Sequence, residues 1–149
     1  MPTTYDTTTH HLQDLPEGLP EETAFLPLGF YHAWLSETGF LAPAFTHTNT
    51  AENPPSHGIR KQGGKLTSEM LTEEGNTFTA AYYPQYLDDL ATLAVDAFQD
   101  EDALFYELPD DWEVYEAVKI ILDARLADWR DDPQAPFEPL ALLDEEDEE

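Results

Sequence analysis

Apolar residues recur at helical spacing in three stretches of the chain and lose their period between them. In the first, Leu28, Tyr31, Trp34 and Leu35 share a stripe, Pro27 suits a first helical turn, and Gly39 stands where a glycine closes a helix; the pattern predicts a helix over 26–38. Phe25, Phe30, Trp34 and Phe40 put aromatic surface on more than one side of it, as expected of a central helix with little contact with water. In the second stretch, Phe78, Ala81, Tyr82, Tyr86, Leu90, Leu93 and Ala97 predict an amphipathic helix over 73–98. Thr72 is its N-cap, and Glu73 and Glu74 lie where the helix dipole favours anions. Pro84 either kinks this helix or begins a second segment. A short helical turn precedes it, opened by Thr67. Gly75 costs about 0.5–1 kcal/mol relative to Ala inside a helix, so either another backbone approaches closely there or Gly75 and Asn76 end the short first turn. In the third stretch, Trp112, Tyr115, Val118, Leu122 and Trp129, widened by Ile121 and Leu126, give the cleanest helical face in the chain, with Asp110 and Glu113 as its reciprocal capping pair.

The intervening segments read differently. Residues 1–20 are rich in Thr, Pro and acid and predict an extended lead-in lying over the core through Tyr5, Leu15 and Leu19. Residues 42–64 combine Pro, Gly, Asn and Thr without period, a long loop for a compact domain. The segment ALFYEL at 103–108 is rich in strand formers and predicts a short strand or extended edge. From Asp131 the chain becomes Pro-rich and ends in LLDEEDEE, an acidic tail expected to be disordered. The expected fold is therefore mainly α with a small β element, one domain over 1–130 followed by the tail 131–149.

Charge changes this picture most. The 149 residues hold 32 Asp and Glu against 6 Lys and Arg, a formal net charge of −26. Without residues 131–149, which carry nine acids and no base, the balance is still 23 acids against six bases, or −17. Residues 66–118 contain 14 acids and no Lys or Arg, so this region must present a strongly negative surface. Nucleic-acid binding, which needs cations to neutralise phosphates, is disfavoured, whereas a basic protein would be steered in. Adaptation to high cytoplasmic salt also favours excess carboxylate, and composition alone leaves both readings open. The chain has no cysteine, hence no disulfide and no thiolate metal site. Its first residues show neither a basic n-region nor an apolar h-region, and no run of about 18 apolar residues occurs, so a soluble cytoplasmic protein without membrane contact is expected.

Catalytic chemistry finds little support. His10 and His11 beside Asp6 and Asp14 could hold a divalent metal, but adjacent side chains point in different directions and no His pair has i,i+4 spacing, so neither metal nor cofactor is expected. His32, within the aromatic helix, reads as a core or boundary residue. The chain has no nucleophile elbow and no phosphate-cradling glycine loop. Carboxylate pairs are abundant, and hydrolase chemistry would need two of them across a cleft with separated pKa values; a solvated or partner-binding face is the commoner use of such acids. The protein is expected not to be an enzyme.

LPLGFYHAW, KLTSEMLTEEGNTFTAAYY and YLDD resemble a family of small, acidic, uncharacterised bacterial proteins with a Gly-x-x-x-Ala-Trp helix followed by KLT-x-E-x-L-x-EEGN-x-F-x-x-x-YY and YLDD. The resemblance spans roughly residues 5–130 and is most specific at Gly29, Ala33, Trp34, Leu66, Thr67, Glu74, Gly75, Asn76, Phe78, Tyr82 and Tyr83; Pro27, His32 and Pro84 depart from it. Members look like the immunity proteins that bacteria encode beside secreted toxins. The resemblance implies an acidic inhibitor that occludes a basic partner, the cognate toxin, for example a nuclease. The acids expected to form its binding face are Asp88, Asp89, Asp100, Glu101, Asp102, Asp110 and Asp111. The competing expectations are a salt-adapted housekeeping protein and a carboxylate- or metal-dependent hydrolase.

Overall fold

The computed structural model describes residues 3–46, 48–50 and 52–137. In chain order the elements are β1 (Thr4–Thr7), α1 (Thr8–Asp14), α2 (Leu26–Thr38), α3 (His57–Lys61), β2 (Lys65–Thr67), α4 (Glu73–Phe98) and α5 (Trp112–Asp131), joined by short 3₁₀ turns. The fold is mainly helical with one small antiparallel sheet, as the sequence predicts.

Helix α2 is the centre. Every residue from Leu26 to Leu35 is buried, so its apolar surface runs all the way round, and Gly39 closes it with a left-handed φ of 84°. Around it the aromatic side chains of α2 and α4 interlock: Tyr31 lies 4.9 Å from Tyr86 and 5.6 Å from Trp34, Trp34 lies 5.6 Å from Phe78, and Phe78 stacks on Tyr82 at 5.2 Å between ring centroids. Each buried phenol finds a partner, as burial of a hydroxyl requires: Tyr31 shares a 2.8 Å hydrogen bond with the Thr79 hydroxyl, and Tyr86 donates to the Pro27 carbonyl at 2.6 Å. Helix α5 closes the core with Tyr115, Val118, Leu122 and Leu126.

Helix α4 is one continuous helix through Pro84, whose side chain faces solvent, with Thr72 capping its start by accepting from Gly75 N at 3.1 Å. The close-approach reading of Gly75 holds. A Cβ there would sit 3.0 Å from Phe40 Cβ and 3.1 Å from the Phe40 carbonyl oxygen, because residues 40–42 run against the start of α4. Phe40 O accepts from Thr72 N, and Met70 O accepts from Ala42 N, both at 2.8 Å.

Five expectations are corrected. The β element does not come from 103–108, where a 3₁₀ turn at Phe105–Glu107 buries Ala103, Tyr106 and Leu108 and exposes Leu104; no neighbouring edge pairs with this segment, and apolar burial dictates the turn. The sheet instead pairs β1 with β2, Asp6 opposite Leu66 and Thr7 opposite Lys65, so the lead-in is a strand followed by a helix. The 42–64 segment is not a free loop: Asn49 donates to Ala33 O at 3.1 Å, Trp112 donates to Asn53 O at 2.7 Å, and α3 lies within it. Gly29 permits this docking, since a Cβ on it would meet Ser56 Cα at 2.6 Å. The helix α5 N-cap is Asp111, which accepts from Val114 N at 2.9 Å, rather than Asp110. Of the acidic tail, Asp131 ends α5, residues 132–136 are exposed, and Phe137 packs back on the core with its ring 4.9 Å from that of Tyr82; 138–149 lie outside the described residues.

Candidate partner-binding surface

The acids expected to form one face separate into two groups. Asp88 is exposed on α4, and Asp100, Glu101, Asp102 and Asp111 are exposed around the α4–α5 connection. Asp89 is not on the surface: only 1% of it is exposed. Its carboxylate forms a two-point ion pair with Arg125, Nε to Oδ2 and Nη2 to Oδ1, both at 2.8 Å, and also accepts from the Tyr82 hydroxyl and from Gln85 Nε2 at 3.0 Å. Burial and the Asp89 hydrogen bond hold the Tyr82 phenol well above its ordinary pKa. Asp89 therefore fastens α5 to α4 and is withdrawn from the binding face. Asp110 is half-buried and fastens the 42–64 segment to the start of α5, accepting from Ser56 Oγ at 2.5 Å and Ser56 N at 3.2 Å with Arg60 Nη2 at 3.8 Å.

The turn after α4 is pre-shaped. Gln99 takes a left-handed φ of 53° to end the helix, and Asp100 Oδ1 accepts from Asp102 N at 2.9 Å, so the three acids project from a fixed turn. Among the described residues no ion pair neutralises Asp100, Glu101, Asp102 or Asp111. Arg60, Lys119, Arg125 and Arg130 pair with Asp110, Asp123, Asp89 and Glu74, and Lys61 and Lys65 sit on α3 and β2, which carry none of these acids.

Beside this turn lies an apolar groove of about 340 Å³ between the end of α4 and the beginning of α5, lined by Leu93, Ala97, Leu108, Pro109, Val114 and Ala117 with Asp111 and Glu113 at its edge. Phe98, the last residue of α4, and Leu104 on the connection are large apolar side chains 43% and 40% exposed. The sequence reading put Leu93 and Ala97 on the core stripe of α4. Ala97 keeps the angular position of the buried Tyr86 and Leu90, but it stands in the last turn of α4 and is exposed, while Leu93 is half-buried.

A second polar cluster pins the N-terminal segment. His11 Nε2 donates to Asp6 Oδ2 at 2.6 Å, and Tyr83 donates to the same oxygen at 2.6 Å. His11 Nδ1 shares a 2.6 Å hydrogen bond with the Tyr106 hydroxyl. Burial, then the Asp6 charge, keeps the Tyr83 phenol protonated far above its ordinary range. Asp6 and Tyr83 border a shallow cleft of about 400 Å³ with Tyr5 and His10. His10 turns the other way, toward Asp14 at 3.7 Å, so the two adjacent histidines diverge. Among the described residues no group of three or more His, Asp or Glu side chains is arranged to hold a metal ion, and no helix is long and apolar enough to cross a membrane.

Fold and surface thus define a small, mainly helical, strongly acidic domain with an apolar groove beside its uncompensated acids. No curated protein and no solved structure matches the chain. The chain belongs to the family of a domain of unknown function, DUF7832, which it matches over residues 4–106. That match runs from β1 to the 3₁₀ turn after α4 and ends before α5, short of the 5–130 span of the resemblance.

Proposed function

We propose that this protein is an acidic inhibitor of the immunity type, acting in the cytoplasm without catalysis of its own by covering the basic active cleft of a protein toxin. The observation that supports this most is the turn at Asp100–Asp102, with Asp111 at the start of α5: exposed carboxylates that form no ion pair among the described residues, on a connection that exposes Leu104 and follows the exposed Phe98. Such acids accelerate encounter with a basic partner, and apolar contact then slows its release. The binding face of this reading is Asp100, Glu101, Asp102 and Asp111; Asp89 and Asp110 are withdrawn from it, and Asp88, nine residues before Ala97, lies on the opposite side of α4 from the groove.

Salt adaptation is the second reading, favoured by exposed acids on the connecting turns and helices alike, such as Glu21, Glu22, Glu116 and Asp128. Co-expression of the full chain with the product of the neighbouring reading frame tests the inhibitor reading. Growth rescue with a stable complex is expected. Absence of rescue and of a complex, together with unfolding of the chain on dilution from molar to low salt, would instead favour salt adaptation.

A further inference from the structure

We propose that the groove between α4 and α5 receives a short amphipathic helix of the basic partner, apolar face down and Lys or Arg side chains against the acids of the rim. This rests on the inhibitor reading and adds which face is used and what enters it.

The lining is mostly apolar. Leu93, Leu108, Pro109 and Val114 line it together with Ala97 on α4 and Ala117 on α5, whose small side chains leave room in a trough of about 340 Å³. Phe98 at the end of α4 and Leu104 on the connection leave further apolar surface open to water, and exposed apolar surface rimmed by polar residues is a mark of interaction sites. Its walls are the last turns of α4 and the first turns of α5, with Leu108 and Pro109 of the connection between them. They offer no strand edge, so an extended peptide would gain no main-chain bonds there. An incoming segment must satisfy its own backbone, which a helix does, and a helix laid in the trough between two others is ordinary ridge-and-groove packing.

Charge decides the occupant. Asp100, Glu101 and Asp102 lie on the connection leaving α4, with Asp111 and Glu113 on the rim at the start of α5. A second copy of this chain, with its net charge of −26, would bring acid against acid. The chain's own apolar run Leu140–Leu143 is followed by six consecutive acids and meets the same objection. A segment carrying cations beside its apolar face is the complement.

The experiment measures binding of the full chain to a labelled Leu/Lys peptide of about 14 residues, roughly 20 Å as a helix, patterned with one apolar face. A scrambled peptide of identical composition is the control. The amphipathic peptide should bind about tenfold more tightly than the scramble, a difference of about 1.4 kcal/mol. Ala117→Glu fills the groove while adding negative charge, so it should weaken amphipathic binding about tenfold and leave the thermal midpoint nearly unchanged, whereas a purely electrostatic surface would bind more tightly. Equal affinity for both peptides, weakened by reversing Asp100, Glu101 and Asp102 to Lys but not by Ala117→Glu, would overturn the groove and leave the acidic face standing. Binding of neither peptide at low salt would overturn both the groove and the basic-partner reading.

Discussion

Asp88 and Asp89 are adjacent and chemically identical, yet one faces water and the other is 1% exposed against Arg125. Removing one member of a buried, hydrogen-bonded pair leaves the other charge uncompensated, so Asp89→Ala should cost about 3–5 kcal/mol. Asp88→Ala should stay within about 0.5 kcal/mol. Urea unfolding of the two variants measures the contrast, and similar midpoints would contradict the assignment. The distinction was partly legible in the sequence. Asp89 lies seven residues after Tyr82 and three after Tyr86, on the stripe that faces the core; Arg125 lies seven after Val118 and three after Leu122 on α5. One acid and one base on two facing apolar stripes are a signal for a buried pair. The reading by charge alone, which grouped Asp88 with Asp89, passed over it. Asp110 offered no such signal, because its partner Ser56 is 54 residues away in an aperiodic segment.

The three long helices follow from their apolar spacing, and their ends fall where Thr72, Gly39 and Pro27 place them. What failed was the reading of short segments. Residues 103–108 carry strand formers, but a strand needs an edge to pair with, and the partner of β2 turned out to be the N-terminal segment. Sequence gives no clue to that pairing, which joins residues about 60 positions apart and is decided by packing. Gly29 shows how one position on a helix fixes a distant segment. Gly29→Ala would drive a methyl group into Ser56 Cα, and overpacking of this kind costs about 1–3 kcal/mol despite the better helix propensity of Ala. Denaturation and limited proteolysis should show a lower midpoint and new cleavage within 42–64; an unchanged cleavage pattern would mean that the segment is not held through this contact.

Over the whole molecule, two properties dominate: a core built from tyrosines and a surface of acids. Burial pushes the phenols of Tyr31, Tyr82, Tyr83, Tyr86 and Tyr115 above their ordinary value of 10. The unfolded chain therefore releases these protons first as pH rises, so their contribution to stability is complete below about pH 10 and falls above it. Tyrosinate absorbance should appear in one step together with loss of the helical circular dichroism signal, whereas gradual titration of an intact helix would contradict the burial of these rings. The acids pose the functional question, and net charge in the sequence could not show which of them are exposed and unpaired. The most direct measurement is growth rescue in the co-expression assay by the full chain and by its Asp100→Lys, Glu101→Lys, Asp102→Lys triple variant, with the unfolding midpoint of each. The inhibitor account predicts rescue by the original chain and its loss in the variant at an unchanged midpoint. Rescue undiminished by the variant, or absent with the original chain, would contradict it.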